Sequence, residues 1–129
     1  MILCVDFDGV LHAYTSGWQG PDVIPDGPVP GAIPWLKSLI ESKKFHVCVY
    51  SSRSKYEQGI LAMRKALTEW FEQAGEENSL RFINAIEFSS EKPAAYLTID
   101  DRAICFTGQF PSIETMEEFR PWYKKKKIG

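Results

Sequence analysis

Short apolar runs alternate with longer amphipathic segments along most of this chain. Each run is four to eight residues long, rich in β-branched and aromatic side chains, and typical of a buried strand. Four such runs predict strands at residues 1–5, 45–50, 81–88 and 96–99. The helical period of apolar residues between these runs predicts helices at residues 32–43 and 54–75. A fifth short strand is predicted at residues 104–106, and a brief helix at residues 112–119.

The two longer helices carry apolar faces, which we interpret as core packing. The first face consists of Ile33, Leu36, Leu39 and Ile40. The second consists of Ile60, Met63, Leu67, Trp70, Phe71 and Ala74. Ser54 and Glu57 have the spacing of a capping box at the start of the second helix. Gly75 is a typical residue to end it.

The alternation of strands and helices predicts an α/β fold. Such an order favours a central parallel sheet with right-handed crossovers, in a doubly wound, Rossmann-like three-layer sandwich. A chain of 129 residues is long enough to build one domain with a substantial core, and we find no internal repeat or domain boundary. Because parallel strands end at one edge of the sheet, residues that follow the strands are expected to form a site there.

A long loop at residues 10–31 separates the first strand from the first helix. It contains four glycines and four prolines, which exclude a helix and a long strand. Loops of this length in small domains are usually functional, so we expect a flap over the sheet edge. His12, Tyr14 and Trp18 lie on this flap, where they are expected either to meet substrate or to pack.

Composition and charge exclude few classes of protein. The net charge of -2 gives no argument for binding nucleic acid or an anionic membrane. Cys4, Cys48 and Cys105 are few, odd in number and set in apolar surroundings, which indicates buried free thiols in a reducing compartment. No run approaches the roughly 18 apolar residues of a membrane span, and the N-terminus lacks the features of a signal peptide. A cytoplasmic location is therefore expected.

Two carboxylates, Asp6 and Asp8, follow the first strand. Alternate residues of an extended chain share a side, so these carboxylates are expected to face the same way. Held ~4 Å apart, they would repel by about 4 kcal/mol at an effective dielectric constant of 20. Such a pair needs a cation, a shared proton or free solvent. The ordinary alternative is that both are turn residues beside Gly9.

Further polar residues follow or precede the other strands. Ser51 follows the second strand, Asp100 and Asp101 follow the fourth, and Lys92 precedes the fourth. Each has an ordinary alternative as a loop, turn or surface residue. Together, four acids, a hydroxyl and a lysine at one sheet edge suit the binding of a phosphoryl group against a divalent cation. Hard oxygen ligands favour Mg²⁺, which binds few carboxylates together with waters and substrate phosphate.

The order of these motifs resembles the haloacid dehalogenase superfamily over roughly residues 1–110. The chain has Asp-x-Asp-Gly-Val at residues 6–10, then Ser51, Lys92 and the Asp-Asp pair at residues 100–101. The Ser-Ser-Arg and Asp-Asp-Arg sequences are similar to those of the phosphatase domain of phage polynucleotide kinases. Val10 departs from the threonine of many members, and no kinase half is present. The chain also has no room for a large cap domain, so a minimal cap and an open site are expected.

The resemblance implies a role for each motif residue. Asp6 would be the nucleophile that forms an aspartyl-phosphate, and Asp8 would be the general acid and base. Ser51 would hydrogen-bond a phosphoryl oxygen, and Lys92 would neutralise charge during transfer. Arg53 would bind substrate phosphate, although a salt bridge at the helix start is an equal alternative.

The resemblance also implies a metal site and a class of substrate. Mg²⁺ would be bound by Asp6, Asp8 through its backbone carbonyl, Asp100 and, directly or through water, Asp101. The implied function is a magnesium-dependent phosphomonoesterase acting on a phosphorylated small molecule, a nucleotide or a polynucleotide 3′ end. A basic tail at residues 121–129, with lysines at 124–127, would add electrostatic attraction to a phosphate backbone, or would simply be solvated. No membrane and no obligate protein partner are inferred.

Two other classes of function remain as alternatives. A phospho-acceptor signalling domain also uses acids, a hydroxyl and a lysine on a doubly wound sheet. There, however, a lone aspartate would occupy the position of Ser51, and the acid pair would not recur after Lys92. A catalytically silent binding domain would not require Asp6, Asp8, Lys92 and Asp100 together.

Overall fold

A four-stranded parallel sheet forms the centre of the computed structural model, which describes residues 1–124. The strands are β1 (Ile2–Val5), β2 (His46–Val49), β3 (Ile86–Phe88) and β4 (Leu97–Ile99). The helices are α1 (Ala32–Ser42), α2 (Glu57–Gln73), α3 (Ser79–Asn84) and α4 (Ile113–Glu117), with a 3₁₀ helix at Ser52–Lys55. The predicted α/β class with a central parallel sheet is confirmed.

The strand order β3-β2-β1-β4 determines where a site can form. The chain moves from β1 to β2 and β3 in one direction, and β4 then returns to the opposite side of β1. Val5 pairs with Val49 of β2 and with Ile99 of β4, so the three strands end at nearly the same level. In open parallel sheets, ligands bind at such a reversal, in the crevice beyond the carboxyl ends of the strands. Here that crevice lies between β1 and β4.

One face of the sheet holds the hydrophobic core. Leu3 and Val5 of β1 lie in register with Val47 and Val49 of β2, and all four are buried. They pack in one cluster with buried residues of three helices: Ala32, Ile33 and Leu36 of α1; Met63, Ala66, Leu67, Trp70 and Phe71 of α2; and Phe82 and Ile83 of α3. The phenyl ring of Phe7, just beyond β1, stacks on the indole of Trp70 with centroids 5.9 Å apart. This packing holds the end of β1 firmly.

The second face of the sheet lacks the helical layer that a doubly wound sandwich would have. Its buried side chains include Cys4 and Cys48, which alternate with the core residues. Within residues 1–124, the connection from β3 to β4 contains no helix, and α4 has no buried residue. The three-layer expectation is therefore not met by the described helices, because the connection from β3 to β4 consists only of residues 89–96.

The start of α2 differs from the predicted start, whereas its end agrees with the prediction. The capping box is formed by Ser51 and Ser54, which open the 3₁₀ helix, and not by Ser54 and Glu57. That prediction was wrong because an additional turn precedes α2, which begins at Glu57. At the other end, Gly75 has a left-handed φ of 87°, and its N–H donates to the carbonyl of Glu72. The predicted termination by glycine is confirmed.

Two predicted strands need correction. Residues 81–84 belong to helix α3, and only residues 86–88 of the predicted third strand are extended. Stacking of Phe82 on Phe71 of α2, with centroids 5.1 Å apart, favours the helix over the local β-propensity. Residues 104–106 form no strand, because they pair with no neighbour in the described sheet. Cys105 is exposed, so it is not the buried thiol that was expected, whereas Cys4 and Cys48 are buried.

None of the helices within residues 1–124 combines the length and the apolar character needed to cross a membrane.

Candidate active site

Three carboxylates converge beyond the ends of β1 and β4. Oxygens of Asp6, Asp100 and Asp101 all lie within 4.8 Å of one another. The backbone N–H of Asp6 donates to the carbonyl of Ile99 at 3.0 Å, which extends the pairing of β1 with β4 to the first acid. Asp100 accepts the backbone N–H of Arg102 at 2.8 Å, which turns the chain after β4. We call these three residues the aspartate cluster.

Within the aspartate cluster, the pKa of Asp6 is raised. Burial is the main cause that raises the pKa of the Asp6 carboxyl to about 8, from an ordinary value of 3.8. A hydrogen bond with Asp101 and the negative charge of Asp100 act in the same direction. The N–H of Phe7, which donates to Asp6 Oδ1 at 2.8 Å, opposes them. The protein thus holds a set of oxygens that repel one another unless a proton or a cation is shared among them.

Asp8 lies outside the aspartate cluster and has partners of its own. Its carboxylate accepts Arg53 Nε at 3.1 Å and 3.0 Å and is 2.9 Å from His12 Nδ1. The Nε2 atom of His12 accepts the backbone N–H of Asp26 at 3.1 Å. Because Nε2 is an acceptor, the ring proton is on Nδ1 and is donated to Asp8. The Asp8 carboxylate is therefore not part of the aspartate cluster, and the predicted binding of magnesium by the Asp8 backbone carbonyl remains a prediction.

Arg53 is the most deeply buried charge of the site. Its side chain is 0% exposed, and Nη1 donates to the carbonyls of Gly20, Pro21 and Val23, each at 2.9 Å. The indole of Trp18 lies 4.9 Å from the guanidinium carbon. One guanidinium thus joins the end of β2, the Asp8 carboxylate and the long loop. Arg53 therefore forms an ion pair, which was one of its two expected roles. Its Nη2 atom has no hydrogen-bond partner within residues 1–124. Binding of substrate phosphate by this atom remains a prediction.

Ser51 and Lys92 lie at the sheet edge in different settings. The hydroxyl of Ser51 is buried and accepts the backbone N–H of Arg53 at 3.2 Å, so it caps the 3₁₀ helix. Its neighbour Ser52 lines the cavity beside the aspartate cluster. Lys92 is exposed and lines a cavity of about 640 Å³ together with Asp6 and Asp100. The predicted contacts of Ser51 and Lys92 with phosphate remain predictions.

The chain near its C-terminus folds back over Gly9. Trp122 Nε1 donates to the carbonyl of Gly9 at 2.7 Å, and the side-chain nitrogens of Arg102 donate to the hydroxyl of Tyr123 at 3.3 and 3.4 Å. Gly9 has a φ of 82°, and a Cβ placed there would collide with Asp101 and lie 2.7 Å from the Tyr123 ring. Gly9 is therefore required both by its backbone conformation and by the close approach of these two side chains.

The cavity over the aspartate cluster has a volume of about 240 Å³. Its lining residues are Asp6, Asp8, Tyr14, Ser52, Asp101, Arg102 and Tyr123. Sequence reasoning missed Ser52, Arg102 and Tyr123 as site residues. Ser52 and Arg102 are direct neighbours of predicted residues in the two motifs, so their position in the sequence could have indicated them. No feature of the sequence around Tyr123 indicates a site residue. Of the predicted tail lysines, Lys124 is exposed, and those at 125–127 lie outside the described residues.

Comparisons of the chain with protein-family models, with curated proteins and with solved structures found no match.

Proposed function

We propose that this protein is a magnesium-dependent phosphomonoesterase that acts through an aspartyl-phosphate, as its resemblance to the haloacid dehalogenase superfamily implies. The observation that carries the proposal is the aspartate cluster at the strand reversal between β1 and β4. Asp6 comes from the central strand, and the other two acids come from the strand beside it. This is the arrangement that the proposed chemistry requires of a nucleophile and its metal ligands.

The residues present fit a magnesium ion. Three carboxylate oxygens within 4.8 Å form a hard-oxygen donor set, and magnesium typically combines one or two carboxylates with waters. Burial and the neighbouring carboxylates raise the pKa of Asp6, so a cation bound here would favour the ionised form of Asp6. Asp6, Asp100 and Asp101 would hold the ion. When bound, it supplies positive charge that favours the ionised form of Asp6 and offsets the charge of a phosphate.

Asp6 would carry the covalent step. One of its oxygens would attack phosphorus in line with the ester bond, and that bond would break as the new P–O bond to Asp6 forms. The N–H of Phe7 donates to Asp6 Oδ1 and so orients the carboxylate, leaving Oδ2 for the attack. Lys92 and Arg102, which line the adjacent cavities, would offset the negative charge on the phosphoryl oxygens.

Asp8 would move the protons. In the first step it would protonate the leaving oxygen, and in the second it would accept a proton from the water that hydrolyses the aspartyl-phosphate. Arg53 and His12 hold its carboxylate in one orientation, which is the requirement for general acid–base catalysis. The ion pair with Arg53 suits the second role in particular, because the carboxylate is then the form that accepts the proton.

The substrate would be a small phosphomonoester or the phosphate of a nucleotide or polynucleotide 3′ end. The cavity over the aspartate cluster is small and open, and it suits a phosphoryl group better than a whole metabolite. The rest of the substrate would therefore extend beyond it. No step of the proposal requires a protein partner.

Hydrolysis of p-nitrophenyl phosphate, measured with magnesium and with a chelator, tests the proposal. The wild type should hydrolyse the ester only with magnesium, and Asp6→Asn should abolish turnover because the amide is neither nucleophile nor anionic ligand. Asp22→Asn is the matched control, since Asp22 is an exposed aspartate of the long loop outside the aspartate cluster. Retention of near-native turnover by Asp6→Asn, with circular dichroism showing a native fold, would exclude Asp6 as the nucleophile.

A further inference from the structure

A second cavity of about 380 Å³ adjoins the cavity over the aspartate cluster. Its lining residues are Tyr14, Thr15, Ser16, Gly17, Trp18, Arg102, Tyr123 and Lys124. Tyr14, Arg102 and Tyr123 line both cavities, so the two are adjacent. We call the second cavity the aromatic cleft. A substrate with its phosphate at Asp6 would reach this cleft past the side chains of Tyr14, Arg102 and Tyr123.

Three aromatic rings give the aromatic cleft flat surfaces for stacking. Trp18 is 46% exposed, although the guanidinium of Arg53 covers one side of its indole at 4.9 Å. Trp18 is among the residues that line the aromatic cleft, and part of its side chain remains exposed. The rings of Tyr14 and Tyr123 meet edge to face, with centroids 6.1 Å apart and planes at 85°. This packing fixes both rings against the cavity over the aspartate cluster.

The orientation of Trp18 is fixed before any ligand binds. Arg53 is fully buried and is held by the Asp8 carboxylate and by carbonyls of the long loop. The cation–π contact with this fixed guanidinium restrains the indole. A stacking surface that is ordered in advance loses little conformational entropy when a ligand binds, which favours affinity.

The polar residues of the aromatic cleft point to a charged, hydrogen-bonding ligand. Arg102 and Lys124 are cations, and within residues 1–124 no carboxylate lines this cavity. Thr15 and Ser16 also line the cleft, and the Ser16 hydroxyl donates to Asp26 Oδ1 at 2.6 Å, which leaves its oxygen able to accept a hydrogen bond. An aliphatic phosphate would use the cations but not the rings, and a hydrocarbon would use the rings but not the hydroxyls. A base with its sugar and phosphate would use all three kinds of group.

Building on the proposed phosphatase activity, we propose that the aromatic cleft binds the nucleoside of a nucleotide substrate, with the base stacked on Trp18. The phosphate to be removed would lie at Asp6, and the sugar would pass Tyr14 and Tyr123. Arg102 lies at the junction of the two cavities, where it would face the phosphate. The substrate class is therefore a nucleoside monophosphate and not a sugar or aliphatic phosphate.

The test compares each nucleotide with the same phosphate lacking its base. Rates are measured for adenosine 3′- and 5′-monophosphate and for ribose phosphates of the same linkage, in wild type, Trp18→Leu and Trp18→Phe. Trp35→Leu is the matched control, because Trp35 is a half-exposed tryptophan of α1 outside both cavities. The wild type should prefer one nucleotide over its ribose phosphate in kcat/KM by at least about tenfold, the size expected for one stacked base. Trp18→Leu should remove most of this preference, and Trp18→Phe should restore much of it.

Binding of the same nucleotide to metal-free protein, followed by NMR titration, separates this inference from the proposed function. If no variant hydrolyses any ester but Trp18→Leu weakens nucleotide binding about tenfold, the cleft assignment stands and the phosphatase proposal fails. If the wild type hydrolyses ribose phosphates as well as nucleotides, the cleft assignment is overturned while the phosphatase proposal stands. Equal loss of preference in Trp18→Leu and Trp35→Leu would also overturn the cleft assignment.

Discussion

Replacing Asp100 with asparagine should stabilise the metal-free protein and weaken its response to magnesium. Asparagine keeps the shape of the side chain and the acceptor for the N–H of Arg102, but it removes one negative charge from the aspartate cluster. At 4.8 Å and an effective dielectric constant of about 20, two unit charges repel by roughly 3.5 kcal/mol. Because Asp100 is exposed, solvent screening reduces the expected gain to about 1 kcal/mol.

The gain should depend on pH because it requires an ionised Asp6. The pKa of Asp6 is raised to about 8 in the folded chain, so the unfolded chain releases this proton at lower pH. Stability should therefore fall progressively as the pH rises from about 4 to about 8, and level off above that. The asparagine variant lacks one of the charges that raise this pKa. Its stability should fall less over the same range.

Thermal unfolding at pH 5, 7 and 9, with a chelator and with magnesium, measures both effects. A gain of about 1 kcal/mol corresponds to roughly 3–6 °C in Tm for a domain of this size. Wild-type protein should gain more from magnesium than the Asp100→Asn variant, because a ligand that binds only the folded state stabilises it more when it binds more tightly. Asp22→Asn serves again as the control for loss of one exposed charge. Identical pH profiles and identical magnesium responses of wild type and Asp100→Asn would refute the assigned repulsion.

Three further substitutions test the geometry around the site. Gly9→Ala should lower stability by about 2–4 kcal/mol, since it combines a left-handed φ with a collision against Asp101, whereas Gly17→Ala shares the left-handed φ without any contact and should cost about 1 kcal/mol in denaturant unfolding. Arg53→Lys should destabilise by about 3 kcal/mol or more, since lysine cannot serve Asp8 and the loop carbonyls together; an unchanged urea midpoint would contradict this. Asp8→Ala should slow the hydrolysis of alkyl phosphates by about 10²–10⁴-fold, and it should slow the first step with activated aryl esters less, because their leaving groups need less protonation. If the variant hydrolyses alkyl esters at the wild-type rate, Asp8 does not transfer the proton.

The positions of the acids could be predicted because they depend on local pattern. Asp6 follows an apolar run that must be a strand, and Asp100 follows another, so a parallel sheet brings them to one edge. The prediction required only strand ends and sheet direction. It did not require the order of the strands, which decides that β1 and β4 are neighbours. Asp8 was expected beside Asp6, but its carboxylate pairs with Arg53, which is 45 residues away in the sequence, and it does not belong to the aspartate cluster.

Other features could not be predicted because distant residues determine them. The helix at residues 79–84 depends on the stacking of Phe82 against Phe71, which local β-propensity does not register. Tyr123 and Trp122 reach Gly9 across more than a hundred residues, and no periodicity in the sequence marks that contact. Within the described residues, no helix separates β3 from β4, because only residues 89–96 join these strands. The strand expected at residues 104–106 lies after β4 and pairs with no strand of the described sheet.

Arg53 links the long loop, expected to form a flap over the sheet edge, to the end of β2 through three hydrogen bonds. Swinging the loop outward would break these three hydrogen bonds, at a net cost of about 3–4.5 kcal/mol if each contributes roughly 1–1.5 kcal/mol. Such an opening would be populated in only about one molecule in a hundred to one in several thousand. Substrates are therefore expected to enter a preformed cleft from the side of Tyr123 and Lys124. The association rate of substrates should depend on ionic strength. Its dependence on solvent viscosity should be no greater than that of diffusion itself, because no opening of the loop is required.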